Sequence, residues 1–152
     1  MGFSPPNMPF VRVWIHLVWS TKNRFPYLTD KIRSDIFNHI RINAKSKQIL
    51  LDRIGGWVDH VHVLISLGSH QTISKTAQLM KGESSHWINS NNLTTEKFEW
   101  QYEYFAVSFD ESKIDIIRNY IDNQEEHHRY KSIIDEYNEL VNDKSGQTTK
   151  HS

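Results

Sequence analysis

The stretch WVDHVHVLISL, Trp57–Leu67, is an apolar, β-branched run that carries two imidazoles. Its composition suits a strand from His60 to Leu67. Side chains alternate across a strand, so His60, His62, Leu64 and Ser66 share one face and Val61, Val63 and Ile65 the other. The valine–isoleucine face belongs on a core. The two histidines on the opposite face read either as half-buried packing or as a preformed two-nitrogen clamp. A lone His-x-His occurs too often by chance to decide between these.

Working outward, VRVWIHLVWST (Val11–Thr21) is a second β-branched and aromatic run, suited to a central strand. After the loop KNRFPY, Thr29 or Asp30 can cap a helix to about Ser46, with Ile32, Ile36, Phe37 and Ile40 as its apolar stripe. ILLDRIGGWV precedes the histidine strand, and its Gly55-Gly56 pair predicts a bulge, bend or hairpin-like break. Thr72 can cap a helix to about Asn89, and YEYFAVSF (Tyr102–Phe109) predicts a fourth strand. Asp110 then caps a helix that runs on through NQEEHHRY, and a further amphipathic helix is expected near residues 132–142.

The order β-α-β-β-α-β-α predicts an α+β, ferredoxin-like (RRM-like) fold: a four-stranded antiparallel sheet plus C-terminal helices. Both crossover helices belong on one face, leaving the other open or covered by later helices. The expected organisation is a flexible lead over residues 1–10, one domain over 11–142 and a disordered tail over 143–152.

The chain has 152 residues and no cysteine, so disulfides and thiolate metal sites are excluded. Any metal would be held by histidine, carboxylate or amide oxygen. No apolar run approaches a membrane span, and Gly55-Gly56 lacks the following Lys-Ser/Thr of a nucleotide-cradling loop. Neither a membrane nor a nucleotide cofactor is expected. The net charge of zero hides an asymmetry: residues 1–50 hold eight basic and two acidic side chains, whereas residues 101–152 hold six and eleven. A basic N-terminal third interleaved with Trp14, Trp19, Phe25 and Tyr27 suits nucleic acid, with Arg12, Lys22, Arg24, Lys31 and Arg33 as candidate contacts. A merely solvated charged face is the plain alternative.

The helix after the fourth strand bears on the histidines. Tyr120 and Gln124 stand at i, i+4 and share a face, beside the stripe Ile114, Ile117 and Ile121. A phenol is a poor nucleophile at neutral pH unless a metal polarises the phosphate it attacks. The amide oxygen of Gln124 could then join both imidazoles as a third ligand.

With DHVHVLI followed some sixty residues later by RNYIDNQ, the chain resembles the single-tyrosine HUH transposases of bacterial insertion sequences and their domesticated REP-associated relatives. HLVWSTK, MKGESS and NQEEHH fall in the matching order, so the resemblance spans about Val11 to Tyr137. It implies Tyr120 as catalytic nucleophile and His60, His62 and Gln124 as ligands of a divalent metal, Mg2+ or Mn2+. It also implies single-stranded or hairpin DNA as substrate, a 5′-phosphotyrosine intermediate and a cytoplasmic bacterial setting. A homodimer is implied too, with Tyr120 of one chain favoured to meet the partner's histidines. His127 and His128 could compete with Gln124, and His16 reads as packing or as support for the site. The rival readings are a single-stranded nucleic-acid-binding module without chemistry and a phosphodiesterase that uses water.

Overall fold

A computed structural model describes residues 11–124 of the chain. Four strands and three α-helices follow one another along it. They are β1 (Val13–Ser20), α1 (Asp30–Ser46), β2 (Leu50–Trp57), β3 (His60–Leu67), α2 (Ile73–Ser90), β4 (Phe105–Phe109) and α3 (Ile114–Asp122). The sheet order is β2-β3-β1-β4, and every neighbouring pair is antiparallel. This is the ferredoxin-like arrangement that the element order predicts.

The two sheet faces differ as the alternation requires. Ile15, Leu17 and Trp19 of β1 join Val61, Val63 and Ile65 of β3 in the main core. Ile36, Ile40 and Ala44 of α1 and Ala77, Met80 and Ile88 of α2 close that core, so both crossover helices lie on one face. The other face presents Trp14 and Leu64 to Ile114, Ile117 and Ile121 of α3, a second and smaller core. It is also the histidine face, because His62 pairs with Val18 and His60 with Ser20. The position of α3 therefore fixes what the histidines meet.

Caps account for the helix starts. The Thr72 hydroxyl accepts from the Lys75 amide at 3.1 Å. Thr29 occupies the N-cap of α1 without a side-chain cap bond, and Asp30 instead accepts from Arg33 at 2.8 Å. Asp110 accepts from the Ser112 amide and opens a 3-10 turn over Glu111–Lys113, so α3 itself begins only at Ile114.

Two local expectations are corrected. Gly55-Gly56 does not break β2; the register irregularity falls between Leu51 and Arg53. Asp52, between them, accepts two hydrogen bonds from Arg118 of α3, both 2.8 Å. The glycines answer instead to close approach. A Cβ on Gly56 would lie 2.2 Å from the His60 carbonyl oxygen, and one on Gly55 would lie 2.4 Å from that of Ile121. The fourth strand starts at Phe105 rather than Tyr102. Lys81 Nζ donates to the carbonyls of Tyr102 at 2.7 Å and Glu103 at 3.4 Å, committing that segment to α2 rather than to a strand ladder. The expected lead over residues 1–10, the helix over 132–142, the tail, His127 and His128 lie outside the described residues. No helix among the described residues is long and apolar enough to cross a membrane.

Candidate active site

His60 begins β3 directly after the two-residue turn Val58-Asp59, and His62 follows on the same face. Across the strands, Gly55 stands directly opposite His62. Its missing side chain lets the backbone of Ile121 settle against the sheet next to the histidine. Ile117 and Ile121 are 1% exposed, so their burial orients the helix. Arg118 adds its paired bonds to Asp52, and Arg53 Nε lies 3.2 Å from a carboxylate oxygen of Asp122. Within one chain, α3 thus docks on its own sheet.

Such docking brings the singled-out residues together. Gln124 Oε1 lies 3.1 Å from His60 Nε2, and both side chains are buried, at 3% and 2% exposure. The half-buried Tyr120 ring meets His62 edge-on at 5.6 Å between centroids. His16 of β1 reaches the same cluster: its Nε2 is 2.9 Å from His62 Nδ1, and its ring lies 6.3 Å from that of Tyr120. Burial pushes the His16 imidazole down from 6.5 to about 4, which keeps it neutral at ordinary pH.

Asp59 holds the other end of His60, with Oδ1 2.9 Å from His60 Nδ1, while its Oδ2 accepts from Arg24 Nε at 3.0 Å. Burial alone would raise the Asp59 carboxyl, but the hydrogen bonds from His60 and Arg24 and the charge of Arg24 outweigh it and hold the group below the ordinary carboxylate range. Arg24 is aimed there by a left-handed backbone, φ 58° at both Asn23 and Arg24. A non-glycine pair in that region carries strain of order 1 kcal/mol per residue.

The donor set fits a divalent cation. A neutral His60 that gives its Nδ1 proton to Asp59 presents a lone pair at Nε2, and Gln124 presents an amide oxygen 3.1 Å away. Two acceptors facing each other repel unless a proton or a cation stands between them. Carboxylate–histidine–metal arrangements place the acid as Asp59 is placed. Among the described residues no three His, Cys, Asp or Glu side chains form a metal-holding group, and the Gln124 amide oxygen is the further donor that lies beside His60.

The candidate DNA contacts separate by environment. Arg33 is 4% exposed, donates to the Leu28 carbonyl and Asp30, and lies over the Trp57 ring at 5.0 Å. Its guanidinium is committed to the fold. Arg12 pairs with Glu111 at 3.1 Å and Lys22 with Glu99 at 3.0 Å, both at the surface. Lys31 is exposed, and Arg24 sits beside the histidine site through Asp59. Asp59, Arg118 and Asp52 have no role assigned from the sequence. For Asp59 a signal existed, since a carboxylate directly before a strand histidine in a tight turn is well placed to reach its ring.

Residues 10–124 match the family described as "Transposase IS200 like". The chain belongs to that family. Among solved structures, a Deinococcus radiodurans R1 protein described as a transposase is 22% identical, with a TM-score of 0.63, covering 82% of this chain and 98% of its own. A REP-associated tyrosine transposase bound to a REP hairpin is 15% identical, with a TM-score of 0.56, covering 81% of this chain and 72% of its own. At these identities the two structures establish the shared fold. No curated protein matches the chain. The family match ends at Gln124, so every residue of the buried cluster lies inside it.

Proposed function

We propose that this transposase cleaves and rejoins single-stranded DNA by transesterification, with Tyr120 as nucleophile and His60, His62 and Gln124 as ligands of Mg2+ or Mn2+. The observation that carries the reading is the convergence of Tyr120, two imidazoles and an amide oxygen on one sheet face. The Tyr120 oxygen attacks a backbone phosphorus and gives up its proton. The bond from phosphorus to the 3′ oxygen breaks, and that oxygen leaves as a 3′-hydroxyl. A 5′-phosphotyrosine remains, conserving one phosphodiester, so no nucleotide cofactor is needed. In the return step a 3′-hydroxyl attacks the phosphotyrosine, the DNA bond forms and Tyr120 recovers its proton. A divalent ion, when bound, would neutralise charge developing on the phosphoryl oxygens. Asp59 keeps His60 in the tautomer that exposes Nε2, and α3 docking keeps Tyr120 against His62.

Hairpin DNA is the proposed form of substrate, supported by the hairpin-bound structure that shares the fold. A homodimer is proposed because joining two ends takes two tyrosines, and C2 pairing is the commonest oligomer symmetry. Each site is proposed to be complete within one chain. Mixing Tyr120→Phe chains with His60→Ala chains, each inactive alone, should then restore no cleavage; recovery would place Tyr120 across the dimer.

Burial favours a second reading. His60 and His62 are 2% and 1% exposed, as in a binding module whose histidines merely pack. Cleavage of a single-stranded hairpin oligonucleotide, measured with Mn2+ and with EDTA, separates the two. Metal-dependent nicking lost in Tyr120→Phe supports the transposase chemistry, and binding without nicking by the wild type supports the module.

A further inference from the structure

His16 and His62 lie diagonally across the β1–β3 ladder, since His16 pairs with Leu64 and His62 with Val18. Both are 1% exposed. Their nitrogens, His16 Nε2 and His62 Nδ1, are 2.9 Å apart, a distance that requires one proton between them. Two arrangements satisfy it. If His16 donates, neutral His62 must carry its own proton on Nε2, and neither of its nitrogens can take a cation. If His62 donates from Nδ1, its Nε2 keeps a lone pair. His62 spends Nδ1 on His16 in both cases, so only Nε2 could ligate a metal, and only in the second arrangement.

His16 has no other evident polar duty. Its Nδ1 has no hydrogen-bond partner among the described residues, so an imidazole is kept in the interior with half its polar capacity unmet. An apolar ring would fill that space without the desolvation cost. The retained polarity is explained by the contact with His62. Metal-binding histidines commonly give their second ring proton to a carboxylate or carbonyl, as His60 can to Asp59.

We propose that His16 is a positioning residue that accepts a hydrogen bond from the Nδ1–H of His62 and thereby keeps the lone pair of His62 on Nε2, where a metal could take it. This rests on the metal-assisted reading given under Proposed function. The site then has two unlike supports, a carboxylate behind His60 and an imidazole behind His62. The one behind His62 is uncharged and adds no negative charge beside the phosphate.

The test uses the full chain without DNA. In metal-free wild type, 15N–1H correlation spectra should show His62 protonated on Nδ1 and not on Nε2. His16→Phe keeps a ring and removes the acceptor, and its Mn2+ affinity, followed by the electron paramagnetic signal of free ion, should fall about 10- to 100-fold. His16→Gln, which can accept through its amide oxygen, should stay close to wild type. Thermal melts confirm that the variants are folded, and the wild-type spectrum decides the tautomer even where a variant is not. Protonation of His62 on Nε2, or undiminished Mn2+ affinity in folded His16→Phe, overturns the proposal. Mn2+ affinity that also ignores His60→Ala overturns the functional reading and this proposal with it. Loss in His60→Ala without loss in His16→Phe overturns this proposal alone.

Discussion

Substituting Gly55 by alanine places one methyl group where α3 meets the sheet. Its Cβ would stand 2.4 Å from the carbonyl oxygen of Ile121 and 3.0 Å from its Cγ2, against ordinary contact from 3.4 Å. The carbonyl belongs to backbone, so the last turn of α3 must retreat by about 1 Å or the strand must yield. Overpacking of this kind costs about 1–3 kcal/mol. The displaced turn precedes Gln124 and carries Tyr120, and a misplacement of about 1 Å at reacting groups can cost on the order of 100-fold in rate. Gly82 provides the control. It lies in α2 with nothing within 4 Å of an added Cβ, so Gly82→Ala should stabilise by about 0.8–1.0 kcal/mol. Urea denaturation and single-turnover hairpin cleavage, run on both variants, read the two effects. Gly55→Ala with wild-type stability and wild-type cleavage would refute the docking of α3 described here.

Replacing His60 and His62 together by alanine should abolish Mn2+-dependent cleavage; a folded double variant that still cuts on Mn2+ addition would contradict their role. Acid should weaken the metal-free fold through His16. Its folded value of about 4 lies below the ordinary 6.5, so between those pH values the unfolded chain takes a proton that the folded chain refuses. Stability is unaffected above that window and falls by about 3 kcal/mol across it. Urea midpoints at pH 7 and 4.5 should show a slope that is smaller in His16→Phe, and an equal slope in both would count against it. Arg118→Ala should loosen α3 at a cost of about 1 kcal/mol, modest because the ion pair is partly exposed. Amide exchange would then accelerate in Ile114–Asp122, and an unchanged pattern would mean the isoleucines hold the helix without it.

The sheet and its two faces were legible because alternation is a local property. Val61, Val63 and Ile65 announce one face of β3 and the histidines the other without knowledge of partners. The i, i+4 spacing of Tyr120 and Gln124 was equally readable, since helix geometry alone puts them together. Contacts between distant segments were not. The bond between His16 and His62 depends on the β1–β3 register, which no single strand encodes. Gly55-Gly56 read as a break because glycine most often marks one; its purpose appears only when Ile121, far along the chain, lies on top of it. Arg33 is a candidate DNA contact by charge, but its guanidinium is buried over the Trp57 ring and donates to the Leu28 carbonyl, a placement that charge alone does not reveal.

The most direct test of the central claim is to trap the covalent species. Wild-type protein incubated with a 5′-extended single-stranded hairpin and Mn2+ should yield a DNA–protein adduct that survives denaturing electrophoresis, and mass spectrometry of its peptides should place the phosphate on Tyr120. A cleaved strand without adduct, or a phosphate on any other residue, would contradict the assignment of Tyr120 as nucleophile.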